Sequence, residues 1–313
     1  MPLCEQRKTP LVTFHAQTLE FFPGLRYRAR VKVKTLLAVL VVVVTTATRA
    51  QDTSAPSIAN FANVTEGRYQ VFAQGGHQLA FEVNMFMNQM LRQYEKFFNN
   101  WSGKAGARVV VFDNVTDFRN YAGDVVSLTH AGLAGYCHLK TDEAGNQFYE
   151  VVTYQDANLW RVLAHEGFHQ FIGYELGLQI PTWLNEGTAQ YFETSFITGS
   201  HFNVGQISRN KLLYAQALIV NKRAPPLAQL VTWDQATFYA NANLAYPTSW
   251  ALVYYLLNSN NDRYEQSRFR HYLQDLKFGN DSVRSLQKNF GSDMTRWQAD
   301  FEDYILHLKP QTD

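Results

Sequence analysis

The chain has 313 residues, of which 46% are hydrophobic and 14% aromatic. It can therefore bury one large core or two packed lobes, which excludes a disordered protein. The formal net charge is +1, and no long run of like charges is present. Nucleic-acid binding normally needs a clustered basic face, so we expect no nucleic-acid partner.

The first 50 residues have the order of a secretory signal peptide. The basic stretch RYRARVKVK precedes a short apolar run over residues 36–44, and a small-residue site ends at Ala50. We therefore predict cleavage near Ala50 and a secreted or periplasmic protein. The run is shorter than the roughly 18 apolar residues of a membrane-spanning helix, so an N-terminal membrane anchor is the alternative, and no stable membrane insertion is expected after cleavage. Residues 1–25 fit neither a signal nor a domain, which suggests a start codon assigned too early.

A mixed α/β lobe is predicted over residues 60–155, after a short polar linker over residues 51–59. Apolar runs bounded by turn residues are typical of buried strands, and apolar residues three and four apart are typical of a packed helix. The predicted elements are a strand over Tyr69–Ala73, a helix over 77–101, and strands over 107–113, 132–139 and 148–154.

From residue 156 to residue 313 the pattern becomes helical. Helical spacing or capping residues occur near 157–174, 182–194, 208–221, 247–258, 263–276, 282–289 and 293–308. The predicted fold class is therefore α+β, with a mixed α/β N-terminal lobe and a mostly helical C-terminal lobe.

The two cysteines predict no disulfide in the mature protein. Cys4 would be lost with the leader, which leaves Cys137 alone. Cys137 and His138 are adjacent on a predicted strand, where neighbouring side chains point to opposite faces, so they cannot readily share one metal ion. We interpret Cys137 as a buried, inert thiol.

The sequence VLAHEGFHQF, residues 162–171, places two histidines four residues apart on the first helix of the helical lobe. Residues four apart lie one turn above each other on the same face of a helix, so His165 and His169 can offer imidazole nitrogens to one metal ion. Catalytic zinc sites use three protein ligands and a water molecule, and Glu166 is placed to take a proton from that water. The alternative is a helix with ordinary polar or capped histidines, because the motif also arises by chance.

Glu186 is the candidate third ligand. It lies in PTWLNEGTAQYFE, residues 181–193, which is typical of a helix that begins near Pro181. The alternative is a solvated carboxylate. Its neighbours include Trp183 and Phe192, however, and an unpaired carboxylate among such residues would be costly. The sequence thus predicts one zinc ion.

HEGFH followed by WLNEGTAQYFE resembles the gluzincin metallopeptidases, in which a glutamate on a second helix completes the zinc site. The chain is more similar still to the peptidase-MA-like bacterial family, many of whose members are known only as domains of unknown function. Members share a Gly-Tyr segment, a strand, the two motif helices and a later helix, here Gly135-Tyr136, EVVTY and AYPTSWALVYYLL. The resemblance extends over roughly residues 61–306. It implies a zincin-like (gluzincin) catalytic core with zinc ligands and a general base, here His165, His169 and Glu186, and Glu166.

Two departures from the family pattern bear on the expected activity. The aminopeptidase branch holds the free amine of its substrate with a G-x-M-E-N segment, which this chain lacks, so an endopeptidase is favoured. Thermolysin-like enzymes brace a histidine with an aspartate four residues after the glutamate ligand, where this chain has Gln190. We expect Glu193 or Asn185 to hold the histidines instead, because such partners orient metal ligands.

Tyr246 is the candidate hydrogen-bond donor to the oxyanion, by analogy with the tyrosine of related gluzincins. A packed aromatic is the alternative in a chain with 17 tyrosines, and His201 and His271 are lower-ranked candidates. In gluzincins the strand at the edge of the cleft pairs with an extended substrate, and the strand around residues 135–138 is expected to do so here.

These features predict a secreted zinc-dependent metallopeptidase that hydrolyses a peptide or protein substrate, with endopeptidase activity favoured. One alternative is a non-catalytic zinc-containing module that binds peptides or the cell wall on the same scaffold. The other is a hydrolase of a non-peptide amide. The natural substrate, the cleavage specificity and the oligomeric state stay open at this point.

Overall fold

The computed structural model describes residues 13–17, 57–98, 107–123, 133–177, 180–198, 201–259 and 266–310. The predicted cleavage site at Ala50 and the apolar run over residues 36–44 lie outside these residues. None of the described helices combines the length and the apolar composition that crossing a bilayer demands.

A six-stranded mixed sheet forms the first half of the fold, in the order β1-β5-β6-β4-β3-β2. The strands are β1 (Thr13–Gln17), β2 (Ala62–Glu66), β3 (Tyr69–Ala73), β4 (Ala107–Phe112), β5 (Leu133–Thr141) and β6 (Gln147–Tyr154). The central strands β3, β4 and β6 run parallel, whereas β1, β5 and β2 pair antiparallel with their neighbours. The strand predicted over Tyr69–Ala73 is confirmed with the predicted bounds.

Helices cover both faces of this sheet, so the central strands are apolar on both sides, as buried parallel strands usually are. Along β4, Val109 and Val111 face the core shared with α1 (His77–Phe97), whereas Val110 and Phe112 face α2 (Val115–Ala122). This alternation follows from the two-residue period of a strand.

The rest of the chain is almost entirely helical. The helices are α3 (Leu159–Leu176), α4 (Thr182–Phe192), α5 (Arg209–Val220), α6 (Leu227–Leu230), α7 (Gln235–Ala240), α8 (Ala242–Asn258), α9 (Gln266–Lys277), α10 (Ser282–Phe290) and α11 (Met294–His307). A short hairpin, β7 (Phe196–Thr198) and β8 (His201–Asn203), separates α4 from α5. One hydrophobic cluster extends from Val64 in the sheet to Ile305 in α11. The predicted α+β fold class is confirmed.

Some elements differ from the predictions. The helix predicted to begin at residue 247 begins at Ala242, and Pro247 lies inside it. Proline is tolerated there at the loss of one hydrogen bond to the preceding turn. The short elements β1, β2, α2, α6, α7 and the β7–β8 hairpin were not predicted. Their lengths of three to eight residues are too short to establish a period.

Two glycines in the sequence motifs let the helices around the site approach closely. A Cβ atom on Gly187 of α4 would lie 2.6 Å from the backbone oxygen of Ser249 in α8. A Cβ atom on Gly167 of α3 would lie 2.8 Å from the terminal methyl group of Met87 in α1. Gly187 therefore lets α4 lie close to α8, and Gly167 lets α3 lie close to α1.

Candidate metal centre

The helix α3 carries the first motif and is buried on nearly every side. It packs on the sheet and on α1, where the hydroxyl of Tyr94 donates a 2.6 Å hydrogen bond to the carbonyl oxygen of Ala164. It ends at Gly177, whose φ of 58° is readily adopted by glycine and whose N–H bonds to the carbonyl oxygen of Gly173. Polar residues in such a helix need partners, because burial without them is costly.

His165, His169 and Glu186 lie together, as the sequence predicted. Their ligand atoms are all within 4.8 Å of one another, and all three residues are buried. The Nε2 atoms of His165 and His169 are 3.5 Å and 3.6 Å from Oε2 of Glu186. This cluster can hold a metal ion.

A separate partner contacts the second nitrogen of each imidazole ring. Nδ1 of His165 lies 2.9 Å from Oε2 of Glu193, and Nδ1 of His169 lies 3.0 Å from Oδ1 of Asn185. An ionised carboxylate and an amide oxygen only accept hydrogen bonds, so each Nδ1 carries a proton and Nε2 is the nitrogen left to ligate a metal ion. The sequence offered Glu193 and Asn185 as alternatives, and in the structure each holds one histidine.

Glu193 belongs to a charged network that sequence reasoning missed. Its Oε1 atom lies 2.6 Å from Nζ of Lys211 in α5 and 2.9 Å from Nη2 of Arg161 in α3. Burial raises the pKa of Glu193, but the charge of Lys211 and the hydrogen bond with His165 outweigh burial and hold that pKa far below its usual value. Glu193 is therefore ionised at neutral pH.

The electrostatics of the cluster favour a cation. Burial raises the pKa of Glu186, but the charge of His169 and the hydrogen bond from His165 lower it to about 2. Burial lowers the pKa of His165, but hydrogen bonds with Glu186 and Glu193 raise it to about 10. The buried carboxylates of Glu186 and Glu193 therefore favour a positive charge beside them, either a proton on His165 or a metal ion.

Two tyrosines flank the third ligand. The hydroxyl of Tyr239 in α7 donates a 2.9 Å hydrogen bond to Oε1 of Glu186. Tyr246 in α8 is buried, and its ring stacks on that of Tyr239 with 6.3 Å between centroids. Burial, and then the charge of Glu186, raise the pKa of both tyrosines well above the usual value. Tyr246 was predicted near the site, whereas Tyr239 was missed because α7 is too short to show a helical pattern.

The other candidate residues are placed as follows. Glu166 is fully buried on α3, and its charge contributes to the raised pKa of Tyr246. Gln190 does not brace a histidine, since its side chain donates to the carbonyl oxygen of Tyr246 at 3.3 Å. His271 is exposed on α9. The backbone of His201 lies in β8, and its side chain is not among the described parts of the chain.

The interpretation of Cys137 and His138 agrees with the structure. Cys137 is buried in the core that contains α1 and α3. His138 faces the opposite side of the sheet, where its Nε2 lies 3.1 Å from Oε1 of Glu150. The two side chains therefore do not share a site.

The strand expected to pair with substrate already carries a partner in this structure. β1 runs antiparallel to β5, with Phe14 opposite Cys137 and Ala16 opposite Gly135. β1 also contacts α3, which bears the histidines. An extended segment can therefore lie beside α3 along this edge of β5.

The fold and the site together define an α+β protein with a buried His-His-Glu cluster that can hold a metal ion. Residues 161–276 match the model of a family described as "Protein of unknown function (DUF1570)". The matched segment is just over a third of the chain and includes both motifs, Lys211, Tyr239 and Tyr246. No curated protein matches the chain.

Proposed function

We propose that the protein is a secreted zinc-dependent metallopeptidase that cleaves peptide bonds within a chain. The observation that carries this proposal is the convergence of His165, His169 and Glu186 on one buried point. Glu193 and Asn185 hold the Nδ1 atoms of the two histidines, and Tyr239 holds Oε1 of Glu186. Ligands with this kind of outer support are typical of functional metal sites.

The donor set fits one zinc ion. Two imidazole nitrogens and one carboxylate oxygen are the protein ligands of catalytic zinc sites that keep a fourth position open. Within the described part of the chain, the buried Nε2 of His165 and Oε2 of Glu186 lie 3.5 Å from each other and have no shorter hydrogen bond. Leaving such atoms unsatisfied is costly, and ligation by a metal ion removes that cost.

In this proposal Glu166 transfers the proton and Tyr246 donates a hydrogen bond to the oxyanion. A bound zinc ion would activate a water molecule and polarise the substrate carbonyl. Glu166 accepts a proton from the attacking water and delivers it to the amine nitrogen as the C–N bond breaks. Tyr246 is protonated at neutral pH, as a tyrosine with the ordinary pKa already is, and burial raises its pKa further, so its hydroxyl can donate a hydrogen bond to the oxyanion.

The test is cleavage of a peptide library, read by mass spectrometry, with the zinc-loaded protein beside its Glu166→Gln variant. This substitution keeps all three ligands, so both proteins are expected to hold one zinc ion per chain. We expect cleavage by the wild-type protein alone, and the cleavage positions would distinguish an endopeptidase from an exopeptidase. If both proteins hold zinc and neither cleaves, a peptide-binding module or a hydrolase of another amide replaces the peptidase.

A second comparison tests Tyr246 within this mechanism. Tyr246→Phe removes only the hydroxyl group and keeps the aromatic packing against Phe238, whose ring centroid is 5.2 Å away. We expect turnover to fall roughly 100-fold, as when one oxyanion donor is lost, with zinc content unchanged. Unchanged turnover would remove Tyr246 from the mechanism.

A further inference from the structure

The two carboxylate oxygens of Glu186 have different surroundings. Oε1 accepts a 2.9 Å hydrogen bond from the hydroxyl of Tyr239. Oε2 faces the two imidazole rings, 3.5 Å from Nε2 of His165 and 3.6 Å from Nε2 of His169. The carboxylate is completely buried, so water does not compete for either oxygen.

Tyr239 is held in place from several directions. It lies in α7, whose first turn is capped by Asp234, because that side chain accepts a 2.8 Å hydrogen bond from the N–H of Thr237. The buried ring of Phe238 packs edge-on against the rings of both Tyr239 and Tyr246. Tyr239 also stacks on Tyr246 at an interplanar angle of 29°. The hydroxyl is therefore presented to Glu186 by a packed aromatic group.

A carboxylate can bind a metal ion through one oxygen or through both. Binding through both would add a ligand atom and fill the position that a catalytic site keeps open for water and substrate. A hydrogen bond donated to one oxygen occupies one of its two lone pairs and opposes its rotation toward the metal. Outer partners of this kind orient ligating carboxylates in general.

We propose that Tyr239 is a positioning residue that restricts Glu186 to binding the metal through Oε2 alone. This inference rests on the metal site proposed above and adds to it the number of protein atoms that reach the metal. Tyr239 acts on the metal through Glu186. The side chain of Tyr246 also interacts with Glu186, but the proposed mechanism assigns Tyr246 to the oxyanion.

The first measurement uses the full chain loaded with Co²⁺, a spectroscopic substitute for Zn²⁺, as wild type and as Tyr239→Phe. The visible absorption of Co²⁺ weakens as its coordination number rises. We expect one metal ion per chain in both proteins and weaker visible absorption in Tyr239→Phe. We also expect Zn²⁺ affinity, measured by competition with a chromophoric chelator, to fall roughly tenfold, the lower end for loss of an outer partner.

Tyr304→Phe is the matched control. Tyr304 lies in α11, and its hydroxyl donates a 3.2 Å hydrogen bond to the backbone oxygen of Asn258, away from the cluster. This variant is expected to keep the wild-type spectrum and affinity. A Tyr239→Phe protein that also keeps both would overturn the positioning role, while the metal site itself would stand.

A second measurement needs no variant. Infrared difference spectra of the wild-type protein with and without Zn²⁺ report the splitting of the two carboxylate stretching bands, which is wide for one-oxygen and narrow for two-oxygen ligation. We expect a wide splitting in the metal-sensitive bands, and a narrow one would overturn the proposal. A wild-type protein that binds no metal in either experiment would overturn the proposed metal site, and the role of Tyr239 with it.

Discussion

Glu193 connects the candidate metal centre to the surrounding charges. One of its oxygens contacts His165, and the other contacts Lys211 and Arg161. Replacement by glutamine keeps the shape of the side chain but removes the charge that makes His165 a better ligand. It also leaves the buried Lys211 without its anionic partner, which is costly.

We therefore predict that Glu193→Gln lowers the affinity for Zn²⁺ by about 10- to 100-fold, the usual effect of removing an outer partner. Competition with a chelator measures this change. Asp303→Asn serves as the control, because Asp303 is exposed on α11 and pairs only with His307 among the described residues. Equal affinities in Glu193→Gln and the wild type would contradict a role for Glu193 at the metal.

Glu150 gives a prediction about acid stability that is independent of the metal. It is buried on the face of the sheet opposite the candidate site, and its Oε1 atom lies 3.1 Å from His138 and 2.7 Å from Lys140. Burial raises the pKa of Glu150, but the hydrogen bond with His138 and the charge of Lys140 outweigh it and lower the pKa to about 2. A lowered pKa stabilises the fold above the ordinary value of 4.5, and this stabilisation is lost as the pH falls toward 2.

We predict that Glu150→Gln lowers the free energy of unfolding at pH 7 by up to about 3 kcal/mol, given about 1.4 kcal/mol per pKa unit. The difference between the two proteins should shrink as the pH falls from 4.5 to about 2, since the wild-type protein then loses the same interaction. Urea unfolding across this range measures both effects. A constant difference at all pH values would show that the charge of Glu150 is not its cause.

At the scale of the elements, the close contact of α4 with α8 depends on Gly187. An added Cβ would meet the backbone of Ser249, which cannot move without shifting α8. At Gly167 the added Cβ would instead meet the flexible end of Met87. We predict that Gly187→Ala destabilises the fold by about 1–3 kcal/mol, the usual range for overpacking, and Gly167→Ala by less. Thermal unfolding of the two variants compares them, and the reverse order would contradict the packing argument.

The sequence predicts those elements that carry a motif or an apolar run bounded by turn residues. The strand over Tyr69–Ala73 was predicted because its residues favour a strand and the Gly75-Gly76 turn follows it, and the motif helices because of the spacing of their polar residues and the start at Pro181. Glu193 was also predicted from the sequence as a partner of the histidines. It follows Glu186 by seven residues, which is about two helical turns, and caps the C-terminal end of α4. Lys211 and Tyr239 were not predicted, since they reach the site only through the packing of α5 and α7. No local pattern records that packing.

At the scale of the whole molecule, β1 lies along the edge of the sheet next to α3, the helix that carries the two histidines. β1 extends the sheet at β5, and both strands contact the helix that bears the histidines. β1 lies upstream of the predicted cleavage position at Ala50. Cleavage there would remove β1 and expose the N–H and C=O groups of β5. An exposed edge of this kind accepts an extended peptide through main-chain hydrogen bonds.

We predict that the edge of β5 is more accessible in residues 51–313 than in the full chain. Amide hydrogen exchange followed by mass spectrometry should show at least tenfold faster exchange in a fragment that contains residues 133–138, because edge amides without a partner strand open to water. Fragments from β4 act as the internal control, since β4 is paired on both sides by β3 and β6. If the edge also receives substrate, peptide cleavage by residues 51–313 should exceed that of the full chain at equal zinc content. Equal exchange at residues 133–138 in both proteins would mean that β1 does not protect this edge in solution.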